Sequence, residues 1–187
     1  MHRTVSDYIV DLVQNSIEAR SSMVKVEISQ ESEHIKVYIK DNGTGMDEET
    51  LARVRDPFFT GGGKHEKRKV GLGISFLAQC VAQCGGRWDI SSQKGTGTSL
   101  FFSFELSNPD SPPLGNLVSA MVCCMGMQGG YDLKIHRAYG KDSYSVQRSE
   151  LIEALGDLED AQSLIAVRTY LRTLEKELLQ KGNSENG

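Results

Sequence analysis

The stretch Asp41-Asn42-Gly43-Thr44-Gly45-Met46 combines a carboxylate with two glycines at a spacing of two residues. The carboxylate ends an alternating apolar run, so we expect it to be at least half-buried and to need hydrogen-bond donors, such as the exocyclic amine of an adenine. The glycines allow a sharp turn and let the backbone approach a flat ring, because no Cβ stands in the way. Taken alone, Asp-Asn-Gly is also a common turn sequence, so its functional interpretation depends on the neighbouring segments.

Two further groups of residues could complete a nucleotide site. Asp11 and Asn15 are four residues apart in a segment with helical spacing, so they share one face of a helix. Asn15 offers an oxygen that Mg²⁺ accepts as a ligand. Residues 61–69 contain three glycines followed by a cationic run that includes Lys64. A bound triphosphate would pair with these positive charges and order the segment. Gly71-Leu72-Gly73 then opens a predicted helix, and the free N–H groups at a helix start suit a phosphate.

The elements that must position these residues follow from the periodicity of the apolar side chains. A helix over 6–20, with Ser6 as its N-cap, precedes an antiparallel hairpin of two short strands near 24–28 and 35–39. A short helix near 47–55 begins at Asp47 or Thr44. After the glycine-rich segment we predict a helix over 71–84, ended by Gly85-Gly86, and two strands over 87–91 and 98–106.

The composition changes between residues 107 and 115, which are rich in proline, serine, asparagine and aspartate. We therefore predict one domain over 1–108, and a linker with a small helix-hairpin-helix extension over 109–187. The extension holds a buried helix near 117–127, a hairpin turning at Gly140, and helices beginning near Ser149 and Asp157. Its leucine stripe over 164–178 either packs inside the chain or forms the seam of a homodimer through the C-terminal helix.

Composition narrows the function classes. With 187 residues, 39% apolar and 25% charged, the chain fits a globular protein, and a net charge of −4 argues against general nucleic-acid or membrane-surface binding. No apolar run is long enough for a membrane span, so we expect a cytoplasmic protein. The four cysteines lack zinc-site spacing and are expected to be buried reduced thiols.

The motifs together resemble a known family. Asp11-Leu-Val-Gln-Asn15-Ser-Ile-Glu-Ala19 resembles the N box of the GHKL (Bergerat-fold) ATPases, which include gyrase B, the heat-shock chaperone, histidine kinases and MutL. Asp41 to Met46 resembles their G1 box, and Asp56-Pro-Phe-Phe59 the F box of histidine kinases. Gly71-Leu-Gly73 resembles the G2 box, and Lys94-Gly-Thr-Gly-Thr98 the last glycine-threonine turn. The motifs follow the family's order between residues 5 and 106.

The resemblance implies an α+β fold, a two-layer α/β sandwich with a mixed, mostly antiparallel sheet, to which the small C-terminal extension is added. It implies ATP and Mg²⁺ as cofactors, with Asp41 on the adenine amine, Asn15 on Mg²⁺, and residues 61–73 as a lid. The nucleotide contacts that it implies are Asn15, Asp41, Gly43, Gly45, Met46, Lys64, Gly71, Leu72, Gly73 and Thr98.

Two departures from the family pattern bear on catalysis. Asp11 stands where the hydrolysing members carry glutamate, so its carboxylate is one methylene shorter. Histidine kinases also need a phosphoacceptor histidine on a helical hairpin before the N box, and only His2 precedes it here. We therefore expect slow hydrolysis with Asp11 as the catalytic group, or phosphotransfer to a separate protein. A non-catalytic, nucleotide-dependent regulator that resembles an anti-sigma factor is the alternative.

Overall fold

The computed structural model describes residues 3–56 and 72–184. Within these ranges the chain forms six α-helices and six β-strands. In chain order they are α1 (Val5–Glu18), β1 (Met23–Glu31), β2 (His34–Asp41), α2 (Glu48–Arg55), α3 (Leu72–Cys84), β3 (Arg87–Gln93), β4 (Gly97–Glu105), α4 (Leu117–Met125), β5 (Asp132–Tyr139), β6 (Asp142–Gln147), α5 (Arg148–Leu155) and α6 (Ala161–Ser184).

The strands form one mixed sheet in the order β3-β4-β2-β1-β5-β6. Only the pairing of β1 with β5 is parallel, and the other four pairings are antiparallel. Side chains alternate along the strands, so one face is buried beneath helices and the other is exposed and polar. Val26, Ile39 and Phe102 lie on the buried face. The predicted α+β fold, with a two-layer sandwich and a mostly antiparallel sheet, is thus confirmed.

The first helix begins earlier than the sequence predicted. Thr4, not Ser6, is the N-cap of α1, and its hydroxyl accepts a hydrogen bond from the Asp7 backbone N–H at 3.1 Å. The Asp7 carboxylate in return accepts one from the Thr4 N–H at 2.8 Å. This reciprocal capping box satisfies two backbone donors, so it defines the start of the helix. Ser6 is buried in the first turn, and its hydroxyl donates to the Leu114 carbonyl at 2.7 Å. The predicted cap at Ser6 is wrong.

An aromatic group joins α1 to the sheet. The ring of Tyr8 lies 6.4 Å from that of Phe102 and 6.5 Å from that of Phe104, and the two phenylalanine rings are 5.8 Å apart. All three side chains are buried. Their contacts hold α1 against β4, so the helix that carries Asp11 and Asn15 is fixed over the middle of the sheet.

The C-terminal extension adds two strands to the same sheet. Strand β5 lies parallel to β1 over eight residue pairs, from Met23 opposite Asp132 to Gln30 opposite Tyr139. The leucine stripe of α6 packs inside the chain, because Val167 and Leu171 are fully buried in the shared core. Of the two interpretations of the stripe, intramolecular packing is therefore the one that the structure shows.

A buried arginine ties α6 to the sheet. Arg137 on β5 is fully buried, and its guanidinium donates to the Glu175 carboxylate at 3.1 and 3.2 Å, to the Ala138 carbonyl and to the Gln30 side chain. Glu175 also accepts a hydrogen bond from the Tyr144 hydroxyl at 2.8 Å. Burial, with the nearby Glu175 carboxylate, raises the pKa of Tyr144 above its ordinary value. The guanidinium is paired and hydrogen-bonded, which offsets the cost of removing its charge from water.

A second arginine stabilises the end of α4. The guanidinium of Arg148 donates to the carbonyls of Met125 at 2.9 Å and Tyr131 at 3.0 Å, and it lies 4.5 Å from the centre of the Tyr131 ring. The Met125 carbonyl is one of the terminal helix carbonyls that lack a partner within the helix. Arg148 therefore joins the end of α4 to the start of α5.

Asp132 connects the start of β5 to the start of α5. Its carboxylate accepts hydrogen bonds from the side chain of Gln147 and from the backbone and hydroxyl of Ser149. Partial burial raises the pKa of Asp132, but the hydrogen bonds from Gln147 and Ser149 outweigh it, so the pKa lies below its ordinary value.

The cysteines are all free thiols, but only two of the four are buried. Cys84 and Cys124 lie in the core, whereas Cys80 is half-buried and Cys123 is exposed on α4. Burial raises the pKa of the Cys124 thiol well above its usual range. The prediction of four buried thiols is therefore confirmed for Cys84 and Cys124, only half met by Cys80 and wrong for Cys123.

Among the described helices, none has a continuous apolar stretch sufficient for a membrane crossing.

Candidate functional site

Asp41 is the buried carboxylate at the centre of the candidate site. It ends β2, and only 8% of its surface is exposed. One oxygen, Oδ1, accepts hydrogen bonds from the Gly43 N–H at 2.8 Å, the Ser21 hydroxyl at 3.2 Å and the Thr98 N–H at 3.3 Å. Among the described residues, the other oxygen, Oδ2, accepts one hydrogen bond, from the Ser16 hydroxyl at 3.0 Å. Oδ1 is therefore saturated, while Oδ2 has an acceptor position that no described residue fills.

The two hydroxyl donors to Asp41 were missed by sequence reasoning. Neither Ser16 nor Ser21 is among the predicted site residues. Both side chains are buried. A buried carboxylate demands donors, so the serine that directly follows Asn15 was the available signal, but the sequence does not indicate which way its hydroxyl turns.

The glycines after Asp41 permit close backbone contacts. A Cβ on Gly43 would stand 2.6 Å from the Ser21 hydroxyl, and a Cβ on Gly45 would stand 2.0 Å from the Gln93 carbonyl oxygen. Gly45 also has a φ of +60°, a conformation that favours glycine. The turn therefore fits tightly between the end of α1 and the β3–β4 connection.

The β3–β4 connection holds the same turn from its other side. The Gly95 N–H donates to the Thr44 carbonyl at 2.7 Å, and the Met46 N–H donates to the Ser92 hydroxyl at 2.8 Å. The hydroxyls of Ser92 and Thr98 lie 2.9 Å apart. The structure thus brings Asp41, Gly43, Gly45, Met46 and Thr98, five of the predicted site residues, into one set of contacts.

Asn15 and Asp11 lie beside the start of α3. A Cβ on Gly73 would stand 3.3 Å from the Asp11 Cβ and 3.7 Å from the Asn15 side-chain nitrogen, so α3 approaches α1 closely there. Within the described part of the chain, the Asn15 amide nitrogen is buried and has no hydrogen-bond partner. A buried polar atom without a partner is costly, so this amide is the group in the site that calls for a ligand.

Arg3 is the charged residue of the site that sequence reasoning missed. Its guanidinium forms an ion pair with the Asp11 carboxylate and lies 4.8 Å from the centre of the Phe76 ring on α3. The side chains of Arg3 and Asp11 are 37% and 41% exposed, so water and salt screen the pair. Arg3 precedes the N-cap of α1 and lies eight residues before Asp11. This spacing does not predict a contact between the two side chains.

The remaining predicted site residues lie near or beyond a gap in the described ranges. Leu72 is the first residue of α3. Lys64 and Gly71, like the Pro57 to Phe59 part of the predicted F box and most of the predicted lid, lie outside the described residues. Asp56 ends α2, as predicted from the proline that follows it.

The N-terminal part of this chain is similar to known proteins. The family model described as "Histidine kinase-, DNA gyrase B-, and HSP90-like ATPase" matches residues 3–109. A protein described as a sensor protein in Shewanella frigidimarina is 31% identical over 105 residues, which is 54% of this chain and 16% of that protein. The sensor histidine kinase YxdK of Bacillus subtilis is 29% identical over 86 residues, or 46% of this chain and 26% of YxdK.

Among solved structures, the histidine kinase domain from the Erythrobacter litoralis EL346 blue-light activated histidine kinase is 23% identical, with a TM-score of 0.33. The match covers 46% of this chain and 34% of that one. The chain spans about a quarter or less of the length of the two sequence relatives, and the matched family region ends before α4.

Proposed function

We propose, from the premise that this chain belongs to the family of histidine kinase-, DNA gyrase B- and HSP90-like ATPases, that it binds Mg²⁺-ATP beside Asp41 and Asn15. We propose further that it hydrolyses ATP slowly or transfers the γ-phosphoryl group to a separate protein. The observation that carries the proposal is the unequal number of donors to the two oxygens of the buried Asp41 side chain: among the described residues, Oδ2 accepts a hydrogen bond only from Ser16.

The adenine assignment rests on the geometry around Asp41. Backbone N–H groups of Gly43 and Thr98 fix Oδ1 and cannot rotate away, so the carboxylate has one defined orientation. The remaining acceptor position on Oδ2 suits a donor such as an exocyclic amine. Gly43 and Gly45 let the turn pack closely against the end of α1 and the β3–β4 connection, which fixes the backbone beside the carboxylate.

The phosphate assignment rests on the contact between α1 and α3. The Asn15 amide nitrogen, buried and without a partner among the described residues, is a donor that suits a phosphate oxygen. The amide oxygen of the same side chain is of the type that Mg²⁺ accepts. Gly73 lets the first turn of α3 approach Asn15, and helix starts attract phosphate. When bound, Mg²⁺ would supply positive charge to the phosphate oxygens. We propose that Lys64, Gly71 and Leu72 contact the phosphates as well.

Asp11 is the proposed catalytic group, because it is the carboxylate next to Asn15 at the α1–α3 contact. In hydrolysis it would take a proton from the water that attacks the γ-phosphorus, and the bridging oxygen would leave with ADP. In phosphotransfer the attacking group would be a side chain of the acceptor protein instead. The Arg3 guanidinium must release Asp11, at least in part, for either reaction.

The ion pair between Arg3 and Asp11 also supports a second candidate function. A carboxylate already paired with a cation is poorly placed to accept a proton, and Asp11 is shorter than the glutamate of the hydrolysing relatives. These features favour a regulator that binds ATP without turning it over and whose nucleotide state selects a protein partner.

The two candidates are separated by measuring phosphate release with wild type, Asp11→Asn and Asp11→Glu, together with transfer of labelled phosphate to proteins of a cell extract. An enzyme should lose turnover by about a hundredfold in Asp11→Asn and keep its ATP affinity, since the lost interaction is used in the transition state. Asp11→Glu restores the longer side chain and should retain or raise turnover.

The result that removes the enzyme proposal is a wild type that binds ATP tightly but neither releases nor transfers phosphate. In that case Arg3→Ala and Asp11→Asn should alter only affinity, stability or partner choice. A wild type that fails to bind ATP at all removes both candidates, because each requires the nucleotide.

A further inference from the structure

The two edges of the sheet are protected differently. At the β3 edge, the guanidinium of Arg55 on α2 donates two hydrogen bonds to the Ile90 carbonyl, so a side chain covers the exposed backbone. At the opposite edge, β6 pairs with β5 on one side, and in the described part of the chain no hydrogen bond reaches its backbone from the outer side. An open edge strand is a template for pairing with another strand.

An apolar groove of about 380 Å³ runs beside this open edge. It lies between β6, α5 and α6, and we call it the edge groove. Val146, Leu151, Leu155, Ala166 and Tyr170 are among its lining residues. Leu155 is 40% exposed and Tyr170 is 48% exposed, so the groove leaves two large apolar side chains in water next to an unpaired strand.

From the joint presence of an open edge and an apolar groove, we propose that β6 pairs with β6 of a second copy of this chain. The two strands run antiparallel around a two-fold axis perpendicular to the sheet. Such an axis preserves the faces of the sheet, so the helices of both copies lie on the same side of one continuous sheet. The two edge grooves then meet, and Leu155 and Tyr170 of both copies are removed from water.

The register that suits this pairing places the axis at Ser145. Because faces are preserved, Tyr144 then lies opposite Val146 of the second copy, and Ser143 lies opposite Gln147. The apolar pair faces the helices, and the polar pair faces solvent. The only charged residue of β6 is Asp142, at its end, so no like charges stand opposite one another. An axis at Tyr144 would instead oppose Asp142 to Val146.

This pairing explains why the second copy fits better than an unrelated strand. An unrelated strand would cover the β6 backbone but need not bring apolar side chains to the edge groove. The second copy supplies both, because its own groove borders its own β6. The interface lies outside residues 3–109, which the family model matches, so none of its residues is among the proposed nucleotide contacts.

The test is the oligomeric state of the full chain, measured by sedimentation velocity and light scattering over a series of protein concentrations. Wild type should be a dimer that dissociates on dilution. Ser145→Lys should weaken association by at least about tenfold, because two lysines would stand opposite each other at the axis. Its matched control is Ser143→Lys, which faces a glutamine and should have a much smaller effect.

A second pair of variants tests the groove on one helix. Tyr170→Glu places a charge in the edge groove and should also weaken association by at least about tenfold. Ile165→Glu is its control, because Ile165 is 63% exposed on α6 but does not line the groove. Neither pair removes buried side chains, so folding should be retained, and thermal unfolding of each variant checks this.

Three results overturn the proposal. A wild type that is monomeric at every concentration would leave the edge open for a strand of another protein. A dimer that persists unchanged in both Ser145→Lys and Tyr170→Glu would use a different surface. A dimer that Ile165→Glu dissociates as effectively as Tyr170→Glu would involve the outer face of α6 rather than the groove.

Discussion

Replacing Asp41 with asparagine should strongly weaken ATP binding without unfolding the protein. The asparagine oxygen must occupy the position of Oδ1, because the backbone N–H groups of Gly43 and Thr98 donate there and cannot turn away. The new NH₂ group then takes the position of Oδ2. The Ser16 hydroxyl can rotate and accept from this NH₂ group, so the internal network survives.

The adenine amine has no such freedom. It would meet a donor where the proposed complex has an acceptor, so one hydrogen bond is lost and a buried donor is left unsatisfied. The expected cost is about 2–4 kcal/mol, equivalent to an increase in Kd of about 30- to 1,000-fold. Titration calorimetry with ATP and Mg²⁺ measures this directly, and thermal unfolding without ligand shows whether the fold is kept.

The matched control is Asp47→Asn, the same chemical change six residues later. Asp47 is exposed and caps α2 through its contact with the Thr50 N–H at 2.8 Å. Asparagine is an equally good cap, so ATP affinity and stability should stay close to those of wild type. An ATP affinity for Asp41→Asn within threefold of wild type would refute the assignment of Asp41 to the adenine amine.

Three further predictions concern the scaffold. Gly45→Ala should strongly weaken ATP binding in calorimetry, because its Cβ collides with the Gln93 carbonyl. Gly95→Ala, also at positive φ (+78°) but without neighbours within 4 Å, should do so far less. Leu171→Glu should lower the unfolding temperature sharply, since it buries a charge in the core; an unchanged temperature would contradict the burial of Leu171. Asp132→Asn should reduce the loss of unfolding free energy that wild type shows as the pH is lowered, measured by urea unfolding. The depressed pKa of Asp132 stabilises the fold above about pH 4, and this stabilisation is lost as the pH falls through the folded-state pKa. An equal dependence of unfolding free energy on pH in both proteins at acid pH would contradict this.

The sequence predicted the elements around the site well because their signals are local. The alternating apolar residues of β1 and β2 depend on a few neighbouring residues and appear in the structure. Of the two predicted caps of α2, Asp47 and Thr44, the structure shows Asp47. The cap of α1 was misplaced because Thr4 and Ser6 are both good caps. The decision between them came from Asp7, which stands three residues after Thr4 and completes a capping box.

The sequence could not predict contacts that depend on distant parts of the chain. The parallel pairing of β5 with β1 joins segments more than one hundred residues apart, and no local pattern encodes it. Arg137 and Arg148 are buried although arginine is usually exposed, because each satisfies its charge with partners from other elements. The pairing of Arg3 with Asp11 was hidden for the same reason.

Strand β1 connects the proposed nucleotide site with the proposed dimer edge. The Asn42 side chain, in the turn after Asp41, accepts hydrogen bonds from the N–H groups of Ser22 at 3.0 Å and Met23 at 2.9 Å. The Ser22 carbonyl in turn accepts one from the Asp132 N–H at 2.9 Å, at the start of β5. Any ligand that moves the turn must therefore move the first residue of β5 or break these bonds. Since β5 carries β6 beside it, we expect the proposed ATP binding and the proposed dimerisation to affect each other through these backbone positions. Such a linkage is reciprocal, so ATP should shift the dimer equilibrium by the same factor by which dimerisation shifts ATP affinity.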